Sequence, residues 1–397
     1  MEATSKPVGE LLDAVPRQPK IKRSAYQESG RYPIVDQSQA DIAGYTDDES
    51  WLYQGELPVV IFGDHTRVLK FVNFPFCVGA DGTQLLRPVA GNDIRYFYYA
   101  LRNVDLTNYG YERHFKYLKE EEIPAPPLPV QRRIAGILSA YDELMENSQR
   151  RIRLLEAMAR ALYREWFVHC RFPGHEKLWR VASPLGDIPK GWEVKRVPEC
   201  VDISPRVAVP RDGEKPFVPM GCLSNDSMLI TDIESRAGNS GAKFQNGDTL
   251  FARITPCLEN GKTGFVQFLP VAEAVGFGST EFIVLRSRTL TPEFVYLLAR
   301  SDEFRGVAIK SMSGATGRQR VQEQCFDDFQ IVQPPRALLD RFSSIVAPSF
   351  RLIYKLHLQI QNLRRTRDLL LPRLLSGQVE LDVSLGIQQT SGAVQPA

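Results

Sequence analysis

No apolar run in this 397-residue chain approaches the ~18–20 residues needed to cross a bilayer. The first fifteen residues hold Glu2, Lys6, Glu10 and Asp13 and no apolar block, so they do not read as a secretory signal. Cysteine is sparse: the six, at 77, 170, 200, 222, 257 and 325, are scattered without a CxxC pair. That usage suits a reducing cytoplasm, where free cysteines serve as small apolar residues. An excess of one charge is missing too. Lys and Arg number 49 against 47 Asp and Glu, a formal net of +2, so any nucleic-acid surface must arise by local clustering.

Intact catalytic motifs are also lacking. Asn73-Phe-Pro-Phe76 is one residue away from the Asn-Pro-Pro-Phe/Tyr loop of amino-methyltransferases, and Gly276-Phe-Gly278 could pose as part of a cofactor loop. Neither lies in a strand–glycine loop–helix unit. Gly261-Lys-Thr263 would end a phosphate-binding loop, but Pro256 stands where that loop needs glycine. His169-Cys170 with His175 is followed by no second ligand cluster at zinc spacing. Asp64, Asp248 and Glu259 read as turn residues rather than catalysts. No catalytic residue, metal site or cofactor of its own is therefore expected.

What is present is a duplication. The length calls for two or more domains, and 43% apolar with 24% charged residues is ordinary for a globular protein. At a constant offset of 208 residues, Pro126-Pro127 matches Pro334-Pro335, Arg133 matches Arg341, and Ile152, Leu155 and Leu162 match Ile360, Leu363 and Leu370. A proline-rich hinge (123–129; 333–336) precedes a long helical pattern in each copy. In the first, Ile134, Leu138, Tyr141, Met145, Ser148, Ile152, Leu155, Ala159, Leu162 and Trp166 alternate by four and three. The second reads Phe342, Val346, Ser349, Ile353, Leu356, Ile360, Leu363, Arg367, Leu370 and Leu374. Such spacing over four heptads is a coiled-coil seam that demands a partner helix. Two unrelated amphipathic helices would not keep the same phase. Arg367 is a blemish on the seam, and Pro348 is expected to kink or delay the second helix.

Each helix follows a globule with short β-rich runs, such as 58–62, 249–251 and 281–285, and helical stretches at 95–102 and 292–304. The fold class is mixed α/β (α+β). We expect two globules separated by two long antiparallel coiled-coil helices in a pseudo-twofold repeat, with a disordered tail. A helix over 134–166 spans ~50 Å at ~1.5 Å per residue, which exceeds the ~34 Å of one DNA turn. The helices would then act as a ruler.

Basic residues gather in loops. Lys20, Lys22 and Arg23 lie together, His65, Thr66 and Arg67 follow a short strand, and Arg113, His114 and Lys116 alternate with Tyr111, Phe115 and Tyr117. In the second globule Arg206, Arg211, Arg253, Lys262, Arg318, Gln319 and Arg320 fall in Gly/Pro-rich segments. One by one these are solvated charges; as one cluster per globule they suit DNA contact.

The hinge Ile123-Pro-Ala-Pro-Pro-Leu-Pro-Val-Gln-Arg-Arg-Ile134 resembles the entry to the conserved helix of type I restriction–modification specificity subunits. Tyr32-Pro-Ile-Val-Asp-Gln37, Ile42-Ala-Gly-Tyr-Thr46, Ile61-Phe-Gly-Asp-His-Thr-Arg67 and Gly110-Tyr-Glu-Arg-His-Phe-Lys116 resemble one type of target-recognition domain. Gly186-Asp-Ile-Pro-Lys-Gly-Trp-Glu-Val194 looks like a second domain's opening. Gly247-Asp-Thr-Leu-Phe-Ala-Arg-Ile-Thr-Pro-Cys-Leu-Glu-Asn-Gly-Lys262 and Gly314-Ala-Thr-Gly-Arg-Gln-Arg320 are similar to another type.

The resemblance implies target-recognition domains at 1–125 and 170–333, long helices at 126–169 and 334–380, and a tail at 381–397. It implies a non-catalytic cytoplasmic subunit, without membrane contact, that binds double-stranded DNA. Its partners would be two methyltransferase subunits and up to two ATP-dependent restriction subunits, to which S-adenosylmethionine, ATP and Mg would belong. Arg150, Arg151, Arg153, Arg364 and Arg365, off or flanking the seam, would face those subunits. A self-contained methyltransferase or nuclease would need an intact cofactor or metal motif, and a coiled-coil scaffold would not need two basic globules.

The seam generates a test. Inserting one heptad into the first helix keeps its phase and adds ~10 Å, about three base pairs at ~3.4 Å each. The spacer of the methylated target should lengthen by a few base pairs with both half-sites unchanged; an unaltered spacer would refute the ruler.

Overall fold

The computed structural model describes residues 4–107, 113–209, 212–271, 273–315 and 317–381. The chain divides into two compact units, one of residues 1–145 and 362–397, the other of residues 146–361. Both are mixed α/β, and each contains part of the two long helices, Leu128–Tyr163 and Arg336–Leu375. The tail expected to be disordered lies, beyond Leu381, outside the described residues.

In the first unit Val59–Gly63 is the central strand of an antiparallel sheet, between Leu69–Val72 and Thr83–Leu86. All its residues are buried, so the sequence there is a continuous apolar run rather than an alternation. A second sheet sets Tyr32–Val35 antiparallel to Gly44–Thr46 and parallel to Cys77–Val78. The helix Ile94–Arg102 starts where the Asp93 carboxylate accepts the Tyr96 N–H (2.9 Å), and it buries Tyr96, Phe97, Ala100 and Leu101. Ser5–Pro7 pairs with Glu122–Pro124, the strand that leads into the first long helix. Ile134, Ala135 and Leu138 of that helix join the same core as Leu371, Leu374 and Leu375 of the second.

The second unit has an antiparallel sheet ordered Val201–Ile203, Phe282–Ser287, Thr249–Ala252, Thr263–Phe265. Its other four-stranded sheet runs Glu234–Ala237, Glu214–Val218, Gly276–Gly278, Ala242–Phe244, with 214–218 and 276–278 parallel. Gly276 and Gly278 are strand residues here. A Cβ at 276 would stand 2.4 Å from the Phe244 ring, and one at 278 would stand 2.6 Å from the Val218 carbonyl oxygen.

Glu193–Arg196 pairs with Gln330–Gln333, which leads into the second long helix. At the end of the first long helix Tyr163 meets Phe294 (5.1 Å between ring centres), and Phe167 meets Phe342 (4.9 Å). Glu156, buried on that helix, accepts from the Ser227 hydroxyl and the Met228 N–H, each at 2.7 Å; burial pushes its carboxyl above the usual range.

Every seam position named above is buried or partly buried. The Arg367 blemish has a partner: its guanidinium donates to Asp142 on the first long helix and, at 2.7 Å, to Asp368. Tyr99 donates to the second Asp142 oxygen at 2.5 Å, and burial beside that carboxylate raises the phenol's pKa. The expectation for Pro348 is overturned. The second helix is continuous from Arg336 and contains it. Pro348 and Ser344 are exposed, so the Ser344 carbonyl that lacks an intrahelical donor can be hydrated, while Val346 and Phe350 are buried and hold the helix in line.

Removing Asp142 leaves the buried Arg367 guanidinium with Asp368 alone as its carboxylate partner. Asp142→Ala should lower the unfolding free energy by about 1–3 kcal/mol, and adding Arg367→Met should recover most of it in urea denaturation. Equal losses in the single and double variants would show that the pair does not brace the seam.

Candidate nucleic-acid interface

In the first unit, loops far apart in sequence meet around the turn after Val59–Gly63. Arg67 closes that turn in the left-handed region (φ 60°), its N–H on the Gly63 carbonyl at 2.8 Å. Asp64 is 3% exposed and ties three segments together. Its N–H donates to the Gly82 carbonyl (2.8 Å), its own carbonyl accepts from the His114 N–H (2.8 Å), and its carboxylate accepts from the Phe115 N–H (2.9 Å), where the helix Phe115–Glu120 begins. Gln37 accepts the His65 N–H at 3.1 Å. The buried Lys70 ammonium donates to the carbonyls of Asp36 (2.8 Å) and Ala40; burial lowers its pKa against the opposing pull of Asp36 and Asp41. The Ala80 N–H donates to the Ile21 carbonyl (2.8 Å), joining the Lys20–Arg23 stretch to the same cluster.

The three basic segments of the first globule therefore converge. Lys22, Arg23, His65, Arg113 and Lys116 are exposed, with the Lys116 ammonium 5.1 Å from the Tyr117 ring centre. Other side chains already have internal work. Lys20 Nζ donates to the Thr83 carbonyl at 2.5 Å, and burial lowers its pKa although Asp81 and Asp64 oppose the shift. The Thr66 hydroxyl donates to the Gln37 carbonyl (2.5 Å), and Arg67 donates to the Leu106 carbonyl (3.2 Å). DNA contact does not hold for His114: its ring is 3% exposed, with Nδ1 3.0 Å from the Asp64 carbonyl oxygen.

A comparable cluster forms in the second unit from 253–262, 279–281 and 313–323. The Arg253 N–H donates to the Glu281 carbonyl (3.0 Å), the Val321 N–H to the Arg253 carbonyl (2.8 Å), and the Thr255 N–H to the Gln319 carbonyl (3.1 Å). Arg318 is exposed in a loop where Gly314 and Gly317 take φ 127° and 81°, and Arg206 is exposed on the loop after Val201–Ile203. Gln319 is partly buried, its N–H on the Thr255 hydroxyl at 3.1 Å.

Three of the expected contact residues have partners within the protein, and of these Arg320 is itself exposed. Arg253 donates to Glu323 (3.3 Å) and the Val321 carbonyl (2.9 Å), Lys262 to the carbonyls of Leu223 (2.9 Å) and Met220 (3.2 Å), and Arg320 grips Glu281 at 2.6–3.0 Å. They brace loops. Arg211 lies outside the described residues.

Reading the sequence for cations found the clusters but missed their braces, Gln37, Lys70 and the buried Asp64. The hydrophilic character of Lys70 inside a β-rich run was the available signal. Asp248 is a turn residue as expected, accepting the Gln245 N–H at 2.7 Å and gripped by Arg286 at 2.6 and 2.8 Å. Among the described residues no three His, Cys, Asp or Glu side chains group as a metal site, and no helix is long and apolar enough to cross a membrane.

Exposed cations and polar backbone presented on loops at the end of a rigid sheet are what contact reading of a nucleic acid requires. Comparison with known proteins agrees with that class. Residues 2–157 match a family model described as the type I restriction modification DNA specificity domain. The type I restriction enzyme MjaIX specificity subunit of Methanocaldococcus jannaschii is 27% identical over 279 residues, 67% of this chain and 62% of that protein. The EcoEI specificity subunit of Escherichia coli is 33% identical over 156 residues, 38% of this chain and 26% of that protein. The crystal structure of the type I system S subunit from M. genitalium shares the fold, with a TM-score of 0.59 at 14% identity over 96% of each chain. This chain spans less than two thirds of the length of the two curated relatives. Over these matched stretches the chain resembles type I restriction–modification specificity subunits.

Asp64→Ala keeps the two backbone ties and removes the carboxylate's bond to the Phe115 N–H, so it should cost about 1–3 kcal/mol and speed tryptic cleavage after Arg113. Wild-type stability together with a wild-type digestion pattern would show that Asp64 is not the tie.

Proposed function

We propose that the chain is the non-catalytic DNA sequence-specificity subunit of a type I restriction–modification complex. It reads a bipartite, asymmetric target, one half-site per loop cluster. The observation that carries this reading is the convergence, in each unit, of sequence-distant basic loops onto the end of a small sheet. The duplication is supported by order. In both units a strand pairs with the one entering a long helix, a hairpin has a strand added in parallel, and a second hairpin has a strand added antiparallel.

Residues 1–125 and 170–333 then serve as target-recognition domains, and 126–169 and 334–380 as the helices between them. The exposed Arg150, Arg151, Arg153, Arg364 and Arg365 fit a surface for two methyltransferase subunits, with up to two restriction subunits recruited beyond them. Those subunits would carry S-adenosylmethionine, ATP and Mg, and the assembly would work in the cytoplasm on double-stranded DNA.

Replacing residues 1–125 by another recognition domain should change one half of the methylated sequence and leave the other intact. A change in both halves would contradict one half-site per unit. Arg318→Ala should weaken binding of the cognate duplex by about 1–3 kcal/mol if its side chain pairs with a base.

A further inference from the structure

A cleft of about 450 Å³ opens in the second unit between the edge strand Ala242–Phe244 of one four-stranded sheet and the inner strand Phe282–Ser287 of the other. Its walls are the loop 204–207, the strand start 241–243, and Thr280, Phe282 and Val284, with Arg253 and Glu323 at one side. Glu323 is the one carboxylate in this lining, and it is already engaged. It accepts from Arg253 (3.3 Å) and from the Ser204 hydroxyl (3.1 Å). Arg206 and Lys243 therefore give the cleft a charge of two without a counter-anion in its walls.

The backbone is held to this shape at some cost. Ser204, a non-glycine residue, sits at φ 46°, its N–H on the Val284 carbonyl at 2.7 Å. Strain of this kind persists where surrounding contacts impose it, and it gathers at binding sites. Gly241 takes φ 101°, and a Cβ there would stand 1.9 Å from the Gly278 carbonyl oxygen, so the cleft's rim runs against the neighbouring strand.

We propose that this cleft seats the sugar–phosphate backbone of the DNA, with Arg206 and Lys243 as its phosphate ligands and Arg253 as a positioning residue held by Glu323. The apolar faces of Phe282, Val284 and Val207 suit the deoxyribose between two phosphates. The proposal rests on the DNA-reading role proposed above and divides the labour within this unit. The 313–320 loop discriminates bases, while the cleft fixes where the strand lies. Phosphate contacts carry no sequence information of their own but set register, and each one adds to the salt dependence of binding.

The test uses the full-length chain and two labelled duplexes of unrelated sequence, titrated by fluorescence anisotropy between 50 and 300 mM salt. Arg206→Ala with Lys243→Ala should weaken both duplexes by the same factor. It should also make the slope of log K against log salt shallower by about two, roughly one per lost contact. The conservative pair Arg206→Lys and Lys243→Arg should keep the wild-type slope. Lys177→Ala with Lys190→Ala, two exposed cations in the same unit that lie outside the cleft, removes equal charge and should leave the slope unchanged. If the wild type binds and the cleft variant keeps its slope, or if the control pair lowers it as much, the cleft is not a phosphate seat. If the wild type binds neither duplex at any salt, the DNA-reading role itself falls with it.

Discussion

An apolar stripe that winds along a 36-residue helix cannot be buried by that helix, and residues of both compact units cover it. Within the first unit, residues 134–138 lie in one core with residues 371–375, and Asp142 pairs with Arg367. Within the second, Trp166 and Phe167 meet Phe342. In each case the later part of one helix answers the earlier part of the other. Helix propensity would not hold segments of this length in place without such packing. The globules join the same cores: Tyr96, Phe97 and Tyr99 lie in one core with Ile134 and Leu138, and Phe294 and Tyr296 meet Tyr163 and Phe350 of the long helices.

Anchoring one side of each globule to a helix leaves the turns of its sheets for contact. The turn at 63–67 and the connection 253–262 leave central, fully buried strands, so their starting points are fixed by the core. The loops are then tied to one another by few interactions. Asp64, Gln37 and Lys70 do it in one unit; Arg253, Glu281 and Arg320 do it in the other. Cations used as braces are held by partners within the protein. This separates Arg318, Arg206, His65 and Arg23, which are exposed, from Lys262 and His114, which are not free to move outward.

Much of the fold could be read beforehand because its signals are periodic. The 4-3 stripe announced both helices, and β-rich runs such as 59–62 and 282–285 announced central strands. Pro348 misled because its cost depends on which way it faces: on the exposed side of a packed helix the carbonyl that loses its donor is open to solvent. The site was legible as segments and not as side chains. Sequence marks where cations gather, but whether a given cation faces outward depends on carbonyls contributed by residues dozens of positions away. Lys262 on Met220 and Leu223, and Lys20 on Thr83, are examples.

The claim at the centre of this account is that two separate loop clusters contact one DNA molecule. Hydroxyl-radical footprinting of the cognate duplex, bound by the full chain with the methyltransferase subunits proposed above, tests it most directly. The account predicts a protected patch at each half-site that can be lost one at a time, the first with Arg23→Ala and His65→Ala, the second with Arg206→Ala and Arg318→Ala. Protection at a single half-site in the wild type, or loss of both patches together with either pair of substitutions, would contradict it.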